Sequence, residues 1–457
     1  MPDTARQVLV VHTIDTEGPL REPVDGTFER LEHLFGIKGL PRTKDTLRQL
    51  ARGEIALDGD LQQRVAQLLG EHSLSYKNSW PEIDQMLARI MSPAFRKALP
   101  DSYGGGWVYN WHCLDHVGFL TNERGRDLGY HHVFDHYKAA TGAEPGCRDG
   151  LHYHFHYIST YRDAHRCATS FLNSSPEFLQ VLCRRVIERG WFPKVARAGF
   201  QAERPDSHWF LEQWVPYDLS NMALDDNSEL DQLTDFRKGR SGNWRRAPSD
   251  WSLYHPSHDD YQLAGQCRRQ IGRSLNVLNR VGSVNTREVE KAFARADGGQ
   301  PTILGVSGHD WRDLGAEVDH VRSLLAQVAP RFPRVKFRYC EAVEAFHHAN
   351  ASVVPSSPPL ELQVTLNARP ADDVPNLDIR TLQGRVFGPQ PFLAIETMSG
   401  RFIHDNLDFS AEDGVWHYAF HSDTLPLSDV RRIGIAANDA QARQSITVLQ
   451  VDGGPKG

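Results

Sequence analysis

The texture of the chain changes near residue 350, and that change limits the fold more than any other feature. Before it, short Val/Ile-rich runs alternate with amphipathic stretches. Residues 7–14, 150–157, 193–200, 301–307 and 334–339 read as strands. Residues 131–141, 175–190, 205–215, 286–297 and 314–329 carry helical periodicity. Alternation of this kind predicts a largely parallel α/β fold. The segment 40–98 is amphipathic and helical, an insertion or an early helical layer. Tyr103 to Val108 reads as the start of a strand after a glycine turn. Beyond the Pro/Ser-rich stretch that starts at Ala351, only short runs with a period of two remain, such as Leu360–Leu366, Phe392–Glu396 and Ser445–Val451. These predict an all-β sandwich. The expected division is a barrel-type domain over 1–350, with a helical insertion around 40–100, and a β-sandwich over 351–457.

A chain of 457 residues is long for one hydrophobic core, in keeping with two domains. Its formal net charge of -7 gives no electrostatic reason to bind nucleic acid. The densest basic stretch, Arg237-Lys238-Gly239-Arg240 with Arg245-Arg246, reads as a solvated or substrate-facing loop. The six cysteines are scattered without a CxxC pair, which argues against a zinc ribbon or redox motif. The N-terminal apolar run is too short for a signal peptide and runs into Asp15 and Glu17. With no stretch apolar enough to span a membrane, the expectation is a cytoplasmic protein.

Histidine is enriched, with 22 in the chain, many of them between His112 and His165. Four strand ends carry the chemistry. The first strand stops on Asp15-Thr16-Glu17-Gly18-Pro19, which delivers two carboxylates to the edge where parallel α/β folds bind ligands. Read alone, such a pair is equally a set of solvated turn acids. Leu151-His152-Tyr153-His154-Phe155-His156 places three imidazoles on one face of a strand, and His152 and His156 also have the His-x-x-x-His spacing. Neutral imidazoles suit zinc and similar divalent cations. Arg197 stands at another strand end, where burial demands a carboxylate partner, and Asp15 is a suitable one. His309-Asp310-Trp311 closes the run Leu304 to Gly308 and supplies an imidazole with an acid beside it. Trp251, Tyr254, His255 and His258 mix aromatic and polar groups in the manner of a sugar-binding wall, as do Trp107 to His112. Buried core aromatics are the alternative for both.

Together these residues resemble the polysaccharide deacetylase superfamily, the NodB-like carbohydrate esterases. The resemblance covers roughly residues 7–348 and rests on the motifs. It implies a distorted (β/α) barrel and a divalent metal, zinc foremost. The implied ligands are Glu17, His152 and His156, with His154 as alternative ligand. Asp15 is implied as base, Arg197 as the residue that holds it, and His309 as general acid. Trp251, Tyr254, His255, His258, Asp310 and Trp311 are the expected substrate-binding residues. The implied reaction removes an acyl group, N-acetyl foremost, from a sugar or a surface-polysaccharide precursor. Two other readings stand beside it: a non-catalytic glycan- or sugar-nucleotide-binding protein, and a metal amidohydrolase of a small non-sugar amide. This sequence departs from the family pattern in using Glu as the metal acid, in the long stretch from Glu17 to His152, and in His-Asp-Trp at 309–311.

Overall fold

A computed structural model describes residues 6–21, 24–69, 76–122, 124–144, 146–160, 162, 171–226, 242–278, 283–351, 357–368 and 374–451. The basic stretch 237–240 and Cys167 lie outside them; the other five cysteines are free thiols.

Seven parallel strands close into a barrel. They are β1 (Gln7–Thr16), β2 (Tyr109–Cys113), β3 (Gly150–Phe155), β4 (Val195–Ala198), β5 (Tyr217–Asn221), β6 (Gln270–Asn276) and β7 (Thr302–His309). They pair in chain order, and β1 meets both β7 and β2. An eighth strand, β8 (Lys336–Tyr339), pairs with the first half of β1, Gln7 to Val10, while β2 takes the second half. The helices of the barrel layer are α4 (Trp80–Ile90), α6 (His132–Gly142), α7 (Ser175–Arg189), α8 (Pro205–Trp214), α9 (Thr286–Asp297), α10 (Leu314–Val328) and α11 (Ala342–Asn350), with a short α5 (Pro93–Arg96). No helix among the described residues is long and apolar enough to cross a membrane.

The barrel interior is layered by the strand period of two. Leu9, Val11, Val195, Tyr217, Leu219 and Ile303 form an apolar floor, closed by α11 through Phe346, whose ring stacks on Tyr217 at 4.1 Å. Above it lies a polar layer in which Thr13 and Ser274 hydroxyls meet at 3.0 Å. Asn110 there accepts from the Ala342 amide and donates to the His12 and Cys340 carbonyls, which fixes α11 to the barrel. The top layer holds Asp15, Arg197 and His309.

The helical segment divides in two. Helices α1 (Val24–Phe35), α2 (Lys44–Ala51) and α3 (Leu61–Leu68) share a small core of their own, including Phe28, Leu31, Leu47, Leu50 and Val65. By contrast α4 packs Ile83, Met86, Leu87 and Ile90 into the main core. The strand expected from Tyr103 begins at Tyr109 instead. Gly105 and the following residues form a loop in which the Asp101 carboxylate accepts from the Tyr103 and Gly105 amides.

The C-terminal region contains two four-stranded antiparallel sheets. One is built from β9 (Glu361–Asn367), β10 (Asn376–Gln383), β13 (Asp408–Phe409) and β14 (Val415–Ala419), the other from β11 (Phe392–Thr397), β12 (Phe402–Asp405), β15 (Val430–Asn438) and β16 (Gln444–Gln450). Leu362, Leu377 and Ile379 of the first face Leu393, Ile395, Ile433 and Ile435 of the second in one apolar core. The second sheet also packs on α7, with Phe392, Ala394 and Ala436 against Leu182, Val186 and Ile187. Asn438 at the end of β15 is buried and donates to the carbonyls of Pro193 and Trp214, both at 2.8 Å. Asn438→Ala leaves two carbonyls unpaired, so we expect a loss of about 1–3 kcal/mol, read as a lowered Tm.

Candidate metal centre

Residues 7–16 form the longest strand of the barrel, and Gly18, at a φ of 68°, turns the chain away from it. Asp15 and Glu17 therefore reach the C-terminal edge pointing into the barrel mouth. Arg197, at the end of β4, donates from Nε to Asp15 Oδ1 at 2.5 Å and from Nη1 to the Leu219 carbonyl at 2.7 Å. His309, the direct strand neighbour of Asp15, brings Nε2 to 3.7 Å from Oδ2. Burial opposes charge on Asp15, but the Arg197 guanidinium, by its charge and its hydrogen bond, outweighs it and holds its pKa below the usual value.

Glu17, His154 and His156 converge, one ligand atom from each lying within 4.8 Å of the others. Glu17 Oε1 stands 3.3 Å from His156 Nε2 and 3.7 Å from His154 Nε2. The two Nε2 atoms are 3.1 Å apart. His154 Nδ1 faces the Arg197 carbonyl at 2.8 Å. A carbonyl only accepts, so Nδ1 carries a proton and Nε2 is the nitrogen turned toward Glu17 and His156. An outer hydrogen bond that fixes the tautomer is the usual support of a metal-binding imidazole. Two imidazole nitrogens and a carboxylate oxygen facing one point form a donor set that fits a divalent cation, and the imidazole-rich composition suits zinc.

The side chains that converge are thus Glu17, His154 and His156, so that His154, the alternative ligand, stands where the resemblance implied His152. His152 lies deeper, with Nε2 at 3.2 Å from Asn110 Oδ1 and 3.0 Å from Glu341 Oε1. The reason is the tilt of strands in a barrel. The hydrogen-bonded row that starts at Asp15 passes through His112 to His152. That row descends relative to the barrel axis, so the residue that meets Asp15 is two positions farther along β3.

Three further groups surround Glu17, and two of them, Arg126 and His116, carry no signal in the sequence. Arg126, buried in the loop after β2, donates from Nη2 to Glu17 Oε2 and leaves Oε1 for the histidines. His116 Nε2 donates to the Glu17 carbonyl at 2.8 Å. Asp310 accepts from the Glu17 and Gly18 amides, at 3.0 and 2.8 Å, and from the Tyr137 hydroxyl at 3.0 Å. Burial raises its pKa to about 7 against these bonds. Asp310 thus clamps the acid loop, a structural use of a residue expected to bind substrate.

His156 depends on a close approach by Gly199. A Cβ at Gly199 would stand 2.1 Å from His156 Cδ2. The next two residues, Phe200 and Gln201, both adopt positive φ, 55° and 49°, and Phe200 meets the His156 ring edge-on at 5.4 Å. Gly199→Ala is expected to displace the His156 ring and weaken metal binding by about tenfold or more, the scale seen when support of a ligand is lost, read by zinc titration. Unchanged affinity would mean that His156 is not a ligand.

Of the other expected substrate contacts, Trp311 reaches the site. Its ring lies 4.6 Å from that of His309 and edge-on to Tyr76 at 4.7 Å. The structure does not bring the remaining four to it. Trp251 is buried, donates to the Glu288 carbonyl and lies under Arg273. Tyr254 is buried, its hydroxyl donating to the Tyr261 carbonyl at 2.6 Å. His255 contacts Gln270, the first residue of β6, and so sits at the opposite edge of the barrel. His258 is exposed and stacks on Trp209, on the outside of α8. Trp107, Tyr109 and Trp111 are likewise core residues on the outer face of the sheet.

Comparison with protein-family models, curated proteins and solved structures finds no match for this chain.

Proposed function

We propose that the protein is a metal-dependent hydrolase that removes an acyl group, N-acetyl foremost, from a sugar, in the manner of the polysaccharide deacetylases. The observation that carries this reading is the convergence of Glu17, His154 and His156 beside an aspartate locked by an arginine, with an imidazole across from it. Glu17 Oε1, His154 Nε2 and His156 Nε2 would hold the cation. A bound divalent cation supplies Lewis acidity, which lowers the pKa of a water and polarises an acyl carbonyl.

The remaining work falls to the chain. Asp15 Oδ1 is engaged by Arg197, so Oδ2 is the oxygen left to accept the water's proton. Its lowered pKa keeps it ionised at neutral pH. His309 begins neutral, because burial lowers its pKa to about 3. It therefore takes the proton from Asp15 Oδ2 and delivers it from Nε2 to the departing nitrogen or oxygen. Trp311 packs on the imidazole and fixes its plane. Among Asp15, Glu17, His154, His156, Arg197 and His309, only His156 and His309 keep noticeable exposure, 16% and 19% of their side chains, so a substrate would enter end-on with its acyl group leading.

A second reading, hydrolysis of a small non-sugar amide, is favoured by one observation: Trp251 and Tyr254, the aromatic wall expected for a sugar, are buried elsewhere. Acetate release from N-acetylated sugars, measured with and without chelator, separates the two. His309→Ala is expected to keep the metal and to slow turnover by about 10²–10⁴-fold. Full turnover in that variant would remove His309 from the proton path.

A further inference from the structure

Among the described residues, the arginine after Trp311 has no counter-ion. Arg312 is only 8% exposed, its Nε is buried without a hydrogen-bond partner, and its guanidinium lies over the Trp311 ring at 4.9 Å. Trp311 in turn lies on His309, so imidazole, indole and guanidinium form one ladder leading out from Asp15. Among the described residues no carboxylate pairs with it. The adjacent acid, Asp313, is used to cap α10, accepting from the Gly315 and Ala316 amides. Other buried arginines of this chain are paired: Arg197 with Asp15, Arg126 with Glu17, Arg185 with Asp115, Arg269 with Glu203 and Asp218, and Arg273 with Glu288.

An arginine always carries its charge, and its planar fork is suited to carboxylate or phosphate. Holding it nearly buried and unpaired is costly unless an anion arrives. The acids beside it do not balance it. Asp15 and Glu17 are each engaged by an arginine of their own, and Asp310 is engaged by two amides and a hydroxyl. A divalent cation at Glu17, His154 and His156 would make the mouth of the barrel more positive still.

We propose that Arg312 binds an anionic group of the substrate, so that the acylated sugar is an acidic one bearing a carboxylate or a phosphate near the scissile acyl group. The inference rests on the hydrolase reading of the site. It gives Arg312 a task separate from catalysis: the guanidinium, backed by Trp311, takes the anion, while the acyl group points to Asp15 and His309.

The test is equilibrium binding to the full, zinc-loaded chain of three probes: N-acetylglucosamine, N-acetylglucosamine 1-phosphate and N-acetylglucosaminuronate. Wild type is expected to bind one anionic probe roughly tenfold or more tightly than the neutral sugar, the scale of a hydrogen bond to a charged group. Whichever anionic probe is preferred tells phosphate from carboxylate. Arg312→Gln should abolish the preference and leave neutral-sugar binding unchanged, while Arg312→Lys should keep part of it. Equal binding of all three probes by wild type, binding of none, or a preference that survives in Arg312→Gln would overturn the proposal. Acetate release, followed separately, reports on the hydrolase reading. Release from charged and neutral sugars alike, with no preference in binding, sinks the anion site alone. An Arg312-dependent preference without any acetate release keeps the anion site and sinks the hydrolase.

Discussion

Arg197→Met is expected to cost about 3–5 kcal/mol of stability, because it leaves the Asp15 carboxylate buried without its partner. Asp15 is 2% exposed and its Oδ1 accepts from Arg197 Nε. The pH dependence gives the sign. In the wild type the folded pKa of Asp15 lies below its ordinary 3.8, so its contribution is present above that value and is lost as pH falls through the folded pKa. Without Arg197, burial dominates and pushes the carboxyl up. The deficit of the variant is then greatest at neutral pH and narrows as the medium is acidified enough to protonate Asp15. Denaturant unfolding at neutral and acidic pH measures this. A deficit that does not change with pH would mean that lost packing, not the unpaired charge, destabilises the variant.

Asp15→Asn breaks the same pair from the other side and removes the proposed base. We expect turnover to fall by about 10²–10⁴-fold, the usual contribution of a positioned base, with metal content unchanged. Stability should also fall, since Arg197 is fully buried and now faces a neutral amide. The double variant Asp15→Asn, Arg197→Met replaces the ion pair by a neutral one. It should recover much of the lost stability and none of the activity, which separates the structural part of the pair from its chemical part. Activity close to wild type in Asp15→Asn would assign the base to another group.

Strand and helix alternation made the barrel legible, because each apolar run had to be buried and each amphipathic helix had to cover it. Two barrel strands escaped notice, β5 (Tyr217 to Asn221) and β6. In β6, Gln270 to Asn276, Gly272 and Arg273 interrupt the apolar run. A Cβ at Gly272 would stand 2.9 Å from Leu219, and Arg273 donates to Glu288 and to the Ala223 carbonyl, contacts that no local pattern records. The acid pair, Arg197 and His309 were legible because each falls where a strand ends. The choice among His152, His154 and His156 was not. All three share a face, and only strand tilt decides which layer meets Glu17. Arg126 and His116 lie in a polar loop, where nothing in the local sequence distinguishes them from solvated residues.

The most direct measurement is the zinc content of purified protein, loaded and then dialysed, for wild type, Glu17→Ala, His154→Ala and His152→Asn. About one ion per chain in wild type and in His152→Asn, with loss in the other two, is the result expected of a centre built from Glu17, His154 and His156. No retained metal in wild type, or metal kept by His154→Ala and lost from His152→Asn, would contradict it.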